Sequence, residues 1–163
     1  MKKLMLILAF SLFLTHNLFA QTKTESQNVF AKSYGYVNDF EKILTPVQIK
    51  SLTDFLKSSE AKTKNKILIV TIPSITPYNS LNDYSLDLDK YLISKLNIDT
   101  SILILISKQL RQIQVRGLNK LRAKVSDQEM KDIVSAYIVP ELKKGDYFKA
   151  LQDGTNQLAK KLE

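Results

Sequence analysis

The sequence predicts an α/β fold, a single α/β/α sandwich in which a small, Rossmann-like mixed sheet is flanked by about four helices. Three observations predict it. The segments Ile67–Ile72 and Ile102–Ile106 are apolar at both alternating sets of positions, as strands covered on both faces are. A helical pattern lies between them, which makes a βαβ unit with parallel strands and an expected right-handed crossover. No internal repeat, low-complexity tract or linker interrupts residues 36–163, so one layered domain accounts for them.

Each element has its own signals. Residues 21–35 form a polar lead, and the first ordered segment includes Tyr36-Val37-Asn38-Asp39. A helix then begins at Thr45, an N-cap followed by Pro46 at the first helical position and Gln48 completing a capping box. Val47, Leu52, Phe55 and Leu56 give it an apolar stripe to about Ser59. The strand over Lys66–Ile72 is stopped by Pro73. Leu81, Tyr84, Leu88, Tyr91, Leu92 and Leu96 carry the next helix, capped near Asn79 or Ser80. After the second apolar strand a turn leads into Arg111–Arg116, where Ile113 and Val115 face inward and Gln112, Gln114 and Arg116 face water, as in a hairpin partner near a sheet edge. Ser126 and Glu129 form a second capping box ahead of Met130, Ile133, Val134, Tyr137 and Ile138, and Pro140 is expected to kink or end that helix. Lys143-Lys144-Gly145-Asp146 reads as a stop and a new cap, and Tyr147, Phe148, Leu151, Leu158 and Leu162 mark the last helix.

The N-terminus sets the expected compartment. Met1-Lys2-Lys3, an apolar run from Leu4 to Leu14 and Leu18-Phe19-Ala20 read as a secretory signal, residues 1–20, with cleavage after Ala20 and a periplasmic or secreted product. No later stretch reaches the roughly 20 apolar residues of a transmembrane helix, so no membrane anchor is expected after cleavage. The chain holds 24 Lys and Arg against 16 Asp and Glu, formally +8, with no Cys, no Trp and one His, and the signal would take His16 with it. Histidine bases, Cys or His nucleophilic sites, zinc centres of Cys or His, haem ligation through them and disulfides are then chemically excluded. Carboxylate, Lys, Arg, Tyr, Ser and Thr chemistry is left. A metal, if one binds, would be a hard cation held by oxygens, Ca²⁺ or Mg²⁺.

The order of elements and several short signatures resemble the TPM domain family, named for thylakoid luminal phosphatase, photosystem II repair proteins and a receptor-modulating protein. The resemblance lies in Val37-Asn38-Asp39-Phe40 with Leu44-Thr45, in Glu60 to Thr71, and in Ile102–Ser107 leading to Arg111. It continues in Val125-Ser126-Asp127 and in Val139-Pro140 followed by Lys144-Gly145-Asp146-Tyr147-Phe148. It implies a Rossmann-like sandwich, export to the envelope or thylakoid lumen, an acidic metal-associated cleft and, as in some plant members, acid phosphatase activity. Three motifs depart from that pattern. Asp99-Thr100-Ser101 stands where the family has Asp-Asn-Gly, and Leu118-Asn119-Lys120-Leu121-Arg122 where it has Gly-aromatic-Gly-aliphatic-Glu. Its Trp-x-x-Gly is absent from Ser94 to Asn97.

Two sets of residues are candidates for function. Asp39 and Asp99 would share an acidic cleft, with Asp127 as a third carboxylate for the metal. Against this stands a plainer role for each: Asp39 and Asp99 cap turns, and Asp127 sits in a first helical turn where the dipole favours an acid. The second set belongs to a basic run, Lys108, Arg111, Arg116, Lys120, Arg122 and Lys124, in which Arg116, Lys120, Arg122 and Lys124 would dock an anionic partner. The plainer account there is that charges on an edge strand prevent sheet-to-sheet aggregation. With the phosphatase motifs eroded, the sequence favours an exported, monomeric, non-catalytic module for an envelope protein or an anionic surface, with no nucleic acid as partner. The alternative is a metal-assisted acid phosphatase, for which no nucleophile stands out among the residues.

Overall fold

The computed structural model of the chain describes residue 30, residues 34–117, residue 121 and residues 124–163. The expected signal, residues 1–20, lies outside the described residues. The elements are β1 (Val37–Asp39), α1 (Pro46–Thr63), β2 (Ile67–Thr71), α2 (Leu81–Leu96), β3 (Ile102–Ser107), β4 (Gln112–Gly117), α3 (Asp127–Ile133), a π-helical turn (Val134–Ile138), α4 (Val139–Lys144) and α5 (Tyr147–Leu162). The strands lie in the order β1-β2-β3-β4. The first three are parallel and β4 is antiparallel to β3, with Ile102 opposite Gly117 and Ser107 opposite Gln112.

Both central strands are buried along their whole length, and their alternating side chains enter two separate cores. On one face Ile67, Ile69, Ile102, Ile104 and Ile106 meet Leu52 and Leu56 of α1, Met130 and Ile133 of α3, and Leu151, Leu158 and Leu162 of α5. On the other, Leu68, Val70, Leu103 and Leu105 meet Leu81, Tyr84, Leu88 and Leu92 of α2, and Phe30 completes the cover. Phe30 packs edge-on to Tyr84 at 5.3 Å between centroids, and burial pushes the Tyr84 phenol up to about 12. Since α1 and α2 lie on opposite faces while the strands progress in one direction, the two crossovers have opposite hands. One of the two therefore departs from the right-handed rule for parallel crossovers.

Helix ends follow the sequence closely. In both capping boxes the exchange is reciprocal: Gln48 N–H donates to Thr45 Oγ1 and Thr45 N–H to Gln48 Oε1, and Glu129 and Ser126 do the same. Ser80 caps α2 and Asp146 caps α5. Two features differ from expectation. Val37–Asp39 is a strand, held by β2 and by the Asn38 amide, which donates to the carbonyls of Gly35 and Ile69. Pro140 neither breaks nor sharply ends the helix, because the chain widens to a π turn just before it, with Val139 N–H reaching back to Val134 O. A proline removes one helical N–H and its ring crowds the carbonyl four residues back, and the wider turn makes room for it. Gly154 of α5 crosses Ile138 at the end of that turn so closely that a Cβ there would lie 2.4 Å from Ile138 Cγ1.

Candidate functional site

The register decides which expected site residues can meet. Asp39 ends β1 at the carboxyl end of the parallel strands, beside Thr71. Asp99 precedes β3 at the opposite, amino end, and Asp127 lies with Arg116 and Gly117 in a shallow groove at that same end. Asp39 and Asp99 are thus separated by the length of the central strands and do not form the shared cleft expected of them. Asp39 already has partners: one carboxylate oxygen accepts the Ile43 N–H at 3.1 Å and the Thr71 hydroxyl, the other the Leu44 N–H at 2.8 Å. The expected ligand set therefore does not fit a metal ion, and among the described residues no three acidic groups converge.

At the amino end a different acid comes forward. Asp89 of α2 is buried, and the Thr100 hydroxyl lies 3.4 Å from its Oδ1. Burial pushes the carboxyl above the usual aspartate range, opposed by the Arg116 charge and the Thr100 hydrogen bond and reinforced by the Asp99 charge. Arg116 is not directed to water as its place in the β4 alternation predicted. The β4 face that carries it is partly covered by α2, and its Nε is buried without a hydrogen-bond partner among the described residues. Lys124 donates to the Leu162 carbonyl at 3.0 Å, tying the α3 approach to the end of α5. Lys120 and Arg122 lie outside the described residues. Lys108 and Arg111, which head the same basic run, sit in the β3–β4 hairpin at the other end.

That other end holds a cleft of about 1060 Å³. The loop after β1, the hairpin and α4 form its walls, with an apolar floor that includes Ile43, Ile106, Ile113, Val139 and Leu142. Lys42, Lys108, Arg111, Lys143 and Lys144 line it, all exposed. Its one acidic lining residue, Glu41, accepts the backbone N–H groups of Lys108 and Gln109, both at 2.8 Å. Glu41 N–H in turn donates to Thr71 Oγ1, whose own proton goes to Asp39. Two carboxylates, Asp39 and Glu41, thus serve the backbone and stitch β1, β2 and the hairpin together. Of the cations, Lys144 has a surface partner, Glu141, at 2.9 Å, and Lys108 lies 5.6 Å from the Tyr147 ring centroid. Lys42 and Arg111 hold left-handed backbone conformations, φ 56° and 53°, uncommon for residues other than glycine. In open α/β sheets ligands enter at the carboxyl ends of strands where neighbouring connections leave to opposite faces, and the β1 and β2 connections do so here.

The sequence pointed to Lys108 and Arg111 but missed Lys42, Glu41 and the part of Lys143 and Lys144 in the cleft. No local pattern links residues that only the packing of α4 beside the hairpin assembles. Asp89 did leave a signal: with Ser85, Leu88 and Leu92 it occupies the buried i, i+3, i+4, i+7 stripe of α2, where an acid is out of place.

Comparison with known proteins agrees with this architecture. The chain is similar to the N-terminal domain of a P. gingivalis protein solved by NMR, with 20% identity, 78% of this chain and 81% of that one covered and a TM-score of 0.68. It is similar to the BA42 protein of the psychrophilic bacterium Bizionia argentinensis at 21% identity, with coverage of 76% and 83% and a TM-score of 0.63. The N-terminal domain of the cg2496 protein of Corynebacterium glutamicum gives 12% identity, 83% and 87% coverage and a TM-score of 0.60. At such identities the likeness is one of fold. No curated protein sequence matches significantly. The TPM domain pattern matches residues 37–161, and with the order of elements, the mixed sheet and the two-sided helical cover described above, the chain belongs to the TPM domain family.

Proposed function

We propose that this TPM domain is an exported, non-catalytic module that binds an anionic partner in the carboxyl-end cleft. The observation that carries the reading is the lining of five exposed cations where the neighbouring carboxylates, Asp39 and Glu41, are committed to backbone N–H groups. Such a lining attracts anions over a distance set by ionic strength, about 8–10 Å near physiological salt. Export is supported by the basic, apolar and small-residue order of residues 1–20.

The test is a titration with pyrophosphate, followed by thermal unfolding at low and high salt. Binding at about 100 times the dissociation constant adds about 2.7 kcal/mol to stability. A rise in Tm that salt weakens, and that Lys42→Glu with Lys143→Glu abolishes, is the expected result. Hydrolysis of a generic phosphomonoester that needs Ca²⁺ or Mg²⁺ and disappears in Asp99→Ala would overturn the non-catalytic reading.

A further inference from the structure

The carboxyl end of the sheet presents apolar side chains as well as charge. Among the described residues four large hydrophobic side chains are exposed: Val47, Ile93, Leu110 and Tyr137. Two of them stand at this end. Val47, 78% exposed, opens α1 just after the β1 loop, and Leu110, 37% exposed, sits in the β3–β4 hairpin between Lys108 and Arg111. The hairpin is held firmly. Glu41 grips the N–H groups of Lys108 and Gln109, the Leu110 N–H donates to Ser107 Oγ at 3.2 Å, and the Arg111 N–H closes on the Lys108 carbonyl.

We propose that this end of the domain docks on an anionic lipid surface, with Leu110 and Val47 entering the headgroup boundary and Lys42, Lys108, Arg111 and Lys143 meeting lipid phosphates. The proposal rests on the anion-binding reading of the cleft and commits it to one partner. A soluble anion would use the cations and leave the two aliphatic side chains without a role, whereas a lipid interface rewards both. Each cation held near an anionic leaflet multiplies partition by about fivefold, so four acting together give firm but salt-sensitive binding. Association of this kind is peripheral. It needs no spanning helix, and among the described residues no helix is long and apolar enough to be one.

The chain has no tryptophan, so a single introduced indole reports its own surroundings. Leu110→Trp is placed at the hairpin and Ile93→Trp, on α2 near the other end, serves as the control. Each is mixed with phosphatidylcholine vesicles with or without phosphatidylglycerol, and emission and quenching by brominated lipid are read. The expected result is a blue shift and quenching for Leu110→Trp on phosphatidylglycerol vesicles only, with Ile93→Trp unchanged. Adding Lys108→Gln and Arg111→Gln should lower partition about 25-fold, about fivefold for each charge lost, with the circular dichroism spectrum unaltered. Equal shifts at both indoles, or a shift that ignores phosphatidylglycerol, would overturn the docking face. No shift at Leu110→Trp while pyrophosphate still raises Tm would overturn lipid docking and leave a site for soluble anions or an acidic protein. Loss of both responses would overturn the anion-binding reading as well.

Discussion

At the carboxyl end of the sheet Asp39 and Glu41 are each spent on two backbone N–H groups, and the cations around them stay exposed. At the amino end Asp89 lies on the buried face of α2 and feels Arg116, a cation whose own Nε is withdrawn from water. The difference teaches that an acid's neighbours, rather than its presence, decide what a charged surface can do. Where the backbone satisfies the carboxylates, nearby lysines and arginines remain available to a ligand. Where a guanidinium lies near a buried carboxylate, the acid is withdrawn from solution and the cation in part with it. A count of acidic and basic residues along the chain cannot tell these situations apart.

The strongest way to break the comparison is to remove the layer common to both ends. Ile104, fully buried mid-strand, supports each of them, and Ile104→Asp should abolish folding outright. An unpaired buried carboxylate costs several kcal/mol, comparable to the stability of a domain this size. Loss of the cooperative unfolding transition by circular dichroism is the check, and a retained transition would show the core to be more tolerant than its packing implies.

A smaller effect separates the ends. Asp39→Ala leaves the Ile43 and Leu44 N–H groups and the Thr71 hydroxyl without their acceptor and should cost about 1–3 kcal/mol in urea unfolding. Asp99→Ala, at an exposed position, should cost less. The reverse order would mean that Asp39 is not the structural clasp of its end.

The smallest effect sharpens the amino end through pH. Because folding raises the Asp89 pKa above its ordinary 3.8, the folded state holds that proton more tightly than the unfolded chain. Asp89 therefore lowers stability as pH rises from that ordinary value through the raised one. Arg116→Gln removes the largest counterweight, so the carboxyl should titrate higher still and the decline should extend further up the pH scale. Asp89→Asn should remove this component. Carboxyl carbon shifts followed by NMR, beside denaturation at several pH values, would show it, and an Asp89 titration indifferent to Arg116 would refute the coupling.

Much of the fold was legible because local and global signals coincide. The two apolar strands could be covered only on both faces, and the capping boxes at Thr45 and Ser126 state where helices begin. The strand Val37–Asp39 was not legible, since a short segment with two polar residues gains its strand character from pairing with β2. The plainer account of Asp39, a turn cap, agrees with its hydrogen bonds. The cleft was opaque for another reason: Lys42 and Lys143 are about a hundred positions apart and share a wall only after α4 is laid beside the hairpin.

The π turn at Val134–Ile138 bears on that wall in a way that concerns insertions and deletions. A π turn is what one additional residue does to an otherwise regular helix: the wider turn absorbs that residue, whereas in an uninterrupted α-helix it would turn everything beyond it by about 100°. Deleting Ala136 would close that turn to ordinary α geometry and leave Val139, Leu142 and Lys143 facing the cleft together, at the cost of the room the wide turn gives Pro140. The α4 wall thus keeps its angular phase across a one-residue change in that turn, and alignments of related chains should show a one-residue gap there wherever the helix runs on without the wide turn.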